Sequence, residues 1–261
     1  MSKNPAKDFG PIADDYAFFE AHATEAEEDA RAYVERLAPI VPTEGPIHVL
    51  DFGCGSGTFS ARLLQQAGWP AARLQLTLVE PVESARREAV ARLTPFSGDP
   101  IVDSATLPAG TPGRFDVVLS NHVLYYVRDL ESQLAALIHA LGPTGVFVTA
   151  IAARDNALIA FWTTAFHLLR REIPYHISED VELALRQLGA LYQKRAVEYD
   201  LAFPDTEENR MRILRFLLAD YLPQLPVRPL LDLFDRHAHA GQIKIRTSCD
   251  HFTIRAQRES G

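Results

Sequence analysis

Short apolar runs alternate with helix-like segments through the first half of the chain. Five runs have the length and character of buried strands, at residues 47–52, 74–79, 100–102, 115–119 and 145–151. Helix-like segments lie between them, at 58–67, 83–93 and 130–141. Strands that alternate with helices need crossover connections, so this pattern predicts a parallel sheet with helices on both faces.

The flanks of this region add further elements. Residues 25–41 show helical periodicity, with Thr24 and Glu27 spaced as in a capping box. After residue 151 the pattern predicts helices at 157–171, 178–188 (with Ser178 as its cap), 207–221 and 230–240, and strands at 194–203 and 243–255. We place residues 154–177 and 204–241 over the carboxyl edge of the sheet, where such folds bind ligands.

The expected fold class is therefore α/β. We expect a Rossmann-like, doubly wound, mostly parallel seven-stranded sheet with an antiparallel last strand and an inserted helical substrate-binding region. The expected organisation is an N-terminal helical cap (1–46), a ligand-binding core (47–153), and helical additions with the last strands of the same sheet (154–261).

Composition narrows the classes of partner. The net charge of −8 over 261 residues argues against nucleic acid, because phosphate binding needs clustered Lys and Arg. Nothing points to a membrane partner, since no apolar run approaches a bilayer-spanning length. The two cysteines, Cys54 and Cys249, form neither a disulfide framework nor a metal-ligand pattern. We expect a cytoplasmic protein, monomeric or homodimeric, without a bound metal.

The segment from Asp51 to Gly57 carries the strongest chemical signal. Glycines at 53, 55 and 57 follow a strand and precede a helix, so the backbone can turn sharply and approach a ligand closely. A dinucleotide fingerprint would need glycine at position 58, where Thr58 stands. A carboxylate at Asp51 would repel a pyrophosphate but suits a cationic amino-acid group.

Polar residues also end the next strands. Glu80 ends the second strand, where a carboxylate can accept two hydrogen bonds from a ribose diol. Asp103 and Ser104 follow the third strand, where a carboxylate can accept from an adenine amino group. Asn121 and His122 end the fourth strand at the same edge, and Tyr125 and Tyr126 come next.

Together these motifs resemble the class I S-adenosylmethionine methyltransferases over residues 47–151. The resemblance implies S-adenosylmethionine as cofactor and S-adenosylhomocysteine as product. The implied cofactor-binding residues, from the methionine end through the ribose to adenine, with Asn121 beside them, are Asp51, Gly53, Gly55, Glu80, Asp103, Ser104 and Asn121.

The flanks resemble a narrower group, the histamine N-methyltransferases. The matching features are the Ala23-Thr24-Glu25 segment, Leu124-Tyr125-Tyr126 and a Trp-bearing helix. The implied substrate-binding residues are Glu25, His122, Tyr125, Tyr126, Trp162 and Thr247, of which His122 and Tyr125 are the implied catalytic pair. His122 replaces a family glutamine and Thr247 a family asparagine, so the resemblance does not extend to histamine itself.

The leading hypothesis is methyl transfer to a small molecule, at the nitrogen of an amine or imidazole. The sulfonium is already electrophilic, so the enzyme mainly aligns the acceptor lone pair with the methyl group. A histidine or carboxylate could take the acceptor's proton. The alternatives are O-methylation of a small carboxylate or hydroxyl compound, and a non-catalytic S-adenosylmethionine-binding protein.

Overall fold

The computed structural model describes residues 10–108 and 111–255. One sheet runs through the molecule, and its strands are β1 (Ile47–Phe52), β2 (Leu74–Val79), β3 (Val102–Ser104), β4 (Phe115–Asn121), β5 (Leu141–Ala152), β6 (Leu191–Pro204), β7 (Ala238–His239) and β8 (Gln242–Arg255). The α-helices are α1 (Ala13–His22), α2 (Glu25–Leu37), α3 (Thr58–Ala67), α4 (Glu83–Leu93), α5 (Leu130–His139), α6 (Ile159–Leu168), α7 (Ser178–Gln187), α8 (Glu207–Leu218) and α9 (Arg228–Leu231).

The strand order confirms the expected fold class. Along the sheet it is β3-β2-β1-β4-β5-β8-β6, with β7 paired to β8 beside this path. The pairs from β3 to β5 are parallel, whereas β8 runs antiparallel to both β5 and β6. The parallel strands therefore all end at one edge, and loops that follow them converge there.

Alternating side chains divide the core into two layers. Val49, Val117 and Val148 face the layer that includes Tyr33 of α2. Leu50, Val118 and Phe147 point the other way, into the layer beneath α5, α6, α7 and α8. Each central strand is thus buried on both faces, which explains its nearly continuous run of apolar residues.

Several predicted boundaries were wrong because tertiary contacts override local signals. Strand β5 begins at Leu141 rather than residue 145, and its pairing with β4 shifts between Phe115 and Val117. Gly145 lies so close to Phe115 there that an added Cβ would come within 2.4 Å of its carbonyl oxygen. The predicted helix at 230–240 is instead the short α9, a 3-10 turn and β7.

Two predicted helix caps were also wrong. The Thr24 side chain does not cap α2, because its hydroxyl accepts a hydrogen bond from the Asp200 N–H of β6 at 3.0 Å. Ser178 is the first residue of α7, and its hydroxyl donates to Asp250. Both side chains tie a helix start to a distant strand. Within the described ranges, no helix has the length and apolar character needed to cross a bilayer.

Candidate functional site

The glycine turn links β1 to α3 and requires glycine at its centre. Gly53, Gly55 and Gly57 all have positive φ, at 77°, 53° and 77°. A Cβ at Gly53 would lie 2.5 Å from both methyl carbons of Val123, in the loop after β4. Among residues 10–108 and 111–255, no heavy atom would lie within 4 Å of a Cβ at Gly55, so the backbone there borders open space within this part of the chain. The turn is therefore packed on one side and open on the other, as a ligand cradle must be.

Glu80 closes the same cradle from the end of β2. Its carboxylate accepts hydrogen bonds from the Gly55 N–H at 3.1 Å and from the Val82 N–H at 2.9 Å. The β1–β2 register pairs Phe52 with Val79, which brings the two strand ends together. An acidic group thus lies beside the glycine turn, where the sequence predicted a ribose acceptor.

Asp51 lies beneath the turn rather than in the open. Its side chain accepts a hydrogen bond from the Ser60 hydroxyl of α3 and is buried. The pKa of Asp51 is raised to about 6, because burial and the charge of Glu80 together outweigh the opposing hydrogen bond from Ser60. The structure places this carboxylate as a support for the turn and the start of α3.

Asp103 and Ser104, at the end of β3, have different hydrogen-bond partners. Asp103 is exposed and accepts a hydrogen bond from the Arg86 guanidinium at 2.9 Å, while Arg86 also donates to the Glu80 carbonyl at 2.6 Å. The Ser104 hydroxyl donates to the Thr106 carbonyl at 2.6 Å. Arg86 therefore bridges the loops after β2 and β3. Asp103 remains accessible at the rim of the cradle.

A second group of polar side chains lies beside the first, after β4. The Asn121 amide donates to Asp29 Oδ2 at 3.1 Å, and its oxygen accepts from the Tyr33 hydroxyl at 2.8 Å. Both partners belong to α2. The side chain predicted to contact the cofactor is therefore held by α2, and its contact with the cofactor stays a prediction.

His122 occupies a strained position at the centre of this group. Its φ of 55° is left-handed, which is uncommon for a residue with a side chain. Its Nε2 lies 2.9 Å from Asp29 Oδ2 and 3.6 Å from Glu25 Oε2, and its Nδ1 lies 3.2 Å from the Tyr125 hydroxyl. Burial lowers the pKa of His122, but the charges of Glu25 and Asp29 outweigh it and raise it to about 9.

Glu25 is the more accessible of the two carboxylates on α2. Its side chain is 14% exposed, against 2% for that of Asp29. Burial and the charge of Asp29 raise the pKa of Glu25, although the nearby His122 charge opposes them. The Cys249 thiol of β8 lies 3.6 Å from Glu25 Oε1. Glu25 is thus a partly open carboxylate with an elevated pKa.

Aromatic side chains line the other side of the group. The Tyr125 hydroxyl accepts the Ala152 N–H at 2.6 Å, and its ring stands 5.6 Å from those of Tyr126 and Trp162. Trp162 is buried, and its indole N–H donates to the Leu217 carbonyl at 3.0 Å. The structure places Trp162 behind Tyr125, in the core.

Thr247, the last residue predicted to contact the substrate, holds a backbone turn. Its hydroxyl accepts the Ala157 N–H at 2.9 Å, just before α6. Thr247 lies opposite Tyr199 in the β6–β8 ladder. It therefore borders the group, with its hydroxyl already accepting a backbone hydrogen bond.

Sequence reasoning missed four members of this group: Asp29, Tyr199, Cys249 and His251. The sequence spacing does place two pairs of residues on a common face of a helix or strand. Asp29 lies four residues after Glu25 on the same face of α2. Cys249 and His251 alternate along β8, so they share a face of the sheet. Nothing local shows that these two faces meet.

Glu25, His122 and Cys249 also place potential metal-ligand atoms within 4.8 Å of one another; among residues 10–108 and 111–255 they are the one such set. These atoms already have partners in the protein. His122 Nε2 contacts Asp29, and the Cys249 thiol contacts Glu25. The cluster is internally satisfied by contacts within the chain.

Comparisons with known proteins agree with this arrangement. The methyltransferase-domain family matches residues 22–194. The trans-aconitate 2-methyltransferase of Methylobacterium radiotolerans is 30% identical over 231 residues, covering 82% of this chain and 81% of that protein. The biotin biosynthesis bifunctional protein BioCD of Bordetella avium is 31% identical over 154 residues, which cover 58% of this chain and only 30% of that protein.

Among solved structures, the plantazolicin methyltransferase BpumL in complex with SAH aligns with a TM-score of 0.55 at 13% identity, covering 95% of this chain and 90% of that one. At this identity the likeness concerns the fold. A Rossmann-like sheet with a glycine turn after β1 and an acidic end to β2 defines the class of S-adenosylmethionine-dependent methyltransferases. The chain belongs to the methyltransferase-domain family, and it is an enzyme that uses S-adenosylmethionine.

The open side of the turn fits this cofactor. Gly55 borders open space, and the Glu80 carboxylate and the exposed Asp103 lie along the same sheet edge. The trans-aconitate 2-methyltransferase among this chain's relatives is named for a small-molecule acceptor.

Proposed function

We propose that the enzyme methylates the nitrogen of a small amine or imidazole. One observation carries the proposal: the partly open Glu25 carboxylate, beside His122 and the tyrosines, at the sheet edge next to the glycine turn. A carboxylate holds a cationic amine, and aromatic faces stabilise it further. The narrower resemblance to the histamine N-methyltransferases supports the same chemistry.

The acceptor nitrogen must be neutral to attack, so its proton needs a destination. Bound S-adenosylmethionine supplies an electrophilic methyl group, which the nitrogen lone pair takes while the sulfonium sulfur keeps the electron pair of the broken C–S bond. Glu25 accepts the nitrogen's surplus proton, because a carboxylate with a raised pKa is a stronger proton acceptor than an ordinary one. His122 provides the neighbouring positive charge, and Tyr125 fixes the His122 ring through Nδ1.

Cofactor roles follow from the cradle. We assign Gly53 and Gly55 to the methionine end, with Asp51 as their buried support, and Glu80 to the ribose hydroxyls. Asp103 and Ser104 remain the proposed adenine contacts. On the acceptor side, Tyr126 contributes to the wall, and Trp162 and Thr247 act through Tyr125 and Ala157, which they contact.

O-methylation of a carboxylate is the second candidate, because relatives are named trans-aconitate 2-methyltransferases. The described acceptor group argues against a polycarboxylate, since Glu25 and Asp29 would repel it. The basic side chain at the end of β4 is that of His122, and its imidazole is already hydrogen-bonded to Asp29. The two candidates therefore differ in the charge that the acceptor brings.

A product screen by mass spectrometry separates them. We expect a 14-dalton addition on amines or imidazoles and none on trans-aconitate or other carboxylic acids; methylation of carboxylic acids alone would overturn the proposal. Glu25→Gln should reduce kcat/KM for the amine by about a hundredfold, in the range of general base catalysis. Glu28→Gln is the matched control, because Glu28 lies on the same helix but pairs with Arg31 at the surface.

A further inference from the structure

Asp29 is the centre of a buried cluster for which the proposed chemistry has no direct use. Its Oδ1 accepts a hydrogen bond from His251 Nε2 at 2.7 Å. Its Oδ2 accepts from His122 Nε2 at 2.9 Å and from the Asn121 amide at 3.1 Å. One carboxylate on α2 thus joins the end of β4 to the middle of β8.

Stability alone does not explain this cluster. Removing a carboxylate and imidazoles from water is unfavourable unless they are paired, and apolar side chains of similar volume often stabilise a core equally well. His251 is fully buried, and its Nδ1 has no hydrogen-bond partner in the part of the chain that the structure describes. A histidine retained only for packing would not leave a buried nitrogen unsatisfied.

The backbone of His122 is fixed at the same place as its ring. The His122 N–H donates to the Ala150 carbonyl of β5 at 3.1 Å, and Ala150 is the ladder partner of His251. The left-handed backbone of His122 is therefore hydrogen-bonded to the β5 residue that pairs with His251. Hydrogen bonds thus hold the His122 backbone to β5 and its ring to α2.

We propose that Asp29 and His251 are positioning residues, a pair that fixes the His122 ring with Nδ1 towards Tyr125 and Nε2 near Glu25. Neither contacts the acceptor, since both act through His122. The inference rests on the proposed function in one respect only, namely the identity of the acceptor. The orientation of the ring is a property of the folded chain with or without an acceptor.

Titration of the His122 imidazole by NMR tests the pair directly. The titratable groups around His122 come from four elements, namely Glu25 and Asp29 of α2, Tyr125 after β4, Tyr199 of β6, and Cys249 and His251 of β8. Asp29→Asn removes one of these charges and keeps the shape. We expect the pKa of His122 to fall from about 9 by about one pH unit or more.

Kinetics provide the second measurement. Misplacement of the ring should lower kcat by about ten- to a hundredfold in Asp29→Asn, while the Kd for S-adenosylhomocysteine changes by less than about twofold. Asp15→Asn is the matched control, because Asp15 is also buried and ion-paired, with Arg215 at 3.0 Å, but lies between α1 and α8. It should leave both the titration and kcat unchanged.

His251→Gln and His251→Phe extend the test and replace Asp29→Asn if that variant does not fold. Glutamine keeps a donor for Asp29 and should retain most of kcat, whereas phenylalanine should not. Variants that lower the melting temperature but leave the His122 titration and kcat at wild-type values would overturn the inference. If no amine is methylated and the titration still shifts, the proposed function fails and the positioning pair stands.

Discussion

The proposed cofactor side and the proposed acceptor side of this enzyme differ in the kind of groups that form them. The cofactor side uses backbone at the glycine turn and one carboxylate, Glu80, all within consecutive strand–helix units. The acceptor side uses side chains from α2, the end of β4, and β8, which are separated by up to 226 residues between Glu25 and His251. The first depends on local backbone conformation, and the second on how distant elements pack.

Substitution of Gly53 should cause the largest loss of stability. Of the two sides, it should change only the cofactor side. In Gly53→Ala the new Cβ would meet Val123 at 2.5 Å on a left-handed backbone. Overpacking of about 1–3 kcal/mol and strain of about 1–2 kcal/mol add to roughly 2–5 kcal/mol. Relief of that strain must displace the turn, so we expect S-adenosylhomocysteine affinity by calorimetry to fall about thirtyfold or more.

Gly68→Ala is the matched control for that change. Gly68 ends α3 with a similar φ of 62°, but a Cβ there would meet no heavy atom of the described residues within 4 Å. Stability should fall by about 1–2 kcal/mol with cofactor affinity intact. Equal losses of affinity in both variants would show that strain alone, rather than contact with Val123, controls the turn.

The acceptor side should respond to pH through His122. Its pKa is raised to about 9 in the folded protein, above an unfolded value of about 6.5. The protonated ring therefore stabilises the fold fully below about pH 6.5, and this contribution disappears as the pH rises through about 9. His122→Asn, which tolerates a left-handed backbone, should lack it.

Denaturant titrations at several pH values check this expectation. The difference in the free energy of unfolding between wild type and His122→Asn should be largest near pH 6.5 and shrink by pH 10. The exposed His239→Asn serves as control and should run parallel to wild type. A difference that is constant over this range would mean that His122 is not held as a cation.

Substitution of Thr247 should have the smallest effect on the free energy of unfolding. It tests whether Thr247 lies at the border of the acceptor side or contacts the acceptor. Thr247→Val removes the acceptor for the Ala157 N–H, which should lower the free energy of unfolding by about 1 kcal/mol. Thr247→Ser keeps the hydroxyl and should lose less. A rise in KM for the acceptor in the valine variant, without loss of stability, would return Thr247 to direct substrate contact.

The contrast between the two sides also explains what the sequence could predict. The α/β fold followed from alternating apolar runs, and the positions of Gly53 and Glu80 followed from chain order, because parallel strands end at one edge. Thr24 and Ser178 were misassigned as caps because their hydroxyls bond to Asp200 and Asp250 on distant strands. No local pattern reports such pairings.

The same reasoning applies to the acceptor residues. Glu25 and His122 were found through motif resemblance, whereas Asp29 and His251 were missed. Their bond joins residues 222 positions apart, and it depends on how α2 lies across the sheet. The hydrogen bonds of the Asn121 side chain were not predicted for the same reason, since Tyr33 and Asp29 approach it from that helix.

The length of β8 has a consequence for how this enzyme can diverge. Cys249, His251 and Thr253 face α2 because side chains alternate along a strand paired with β6 over its whole length, from Gln242 to Arg255. Insertion or deletion of one residue between Gln242 and Cys249 would turn all three to the opposite face at once. A change of length at the turn around Gly241, outside β8, would leave the register unchanged, so we expect such a change to be tolerated there and not within β8.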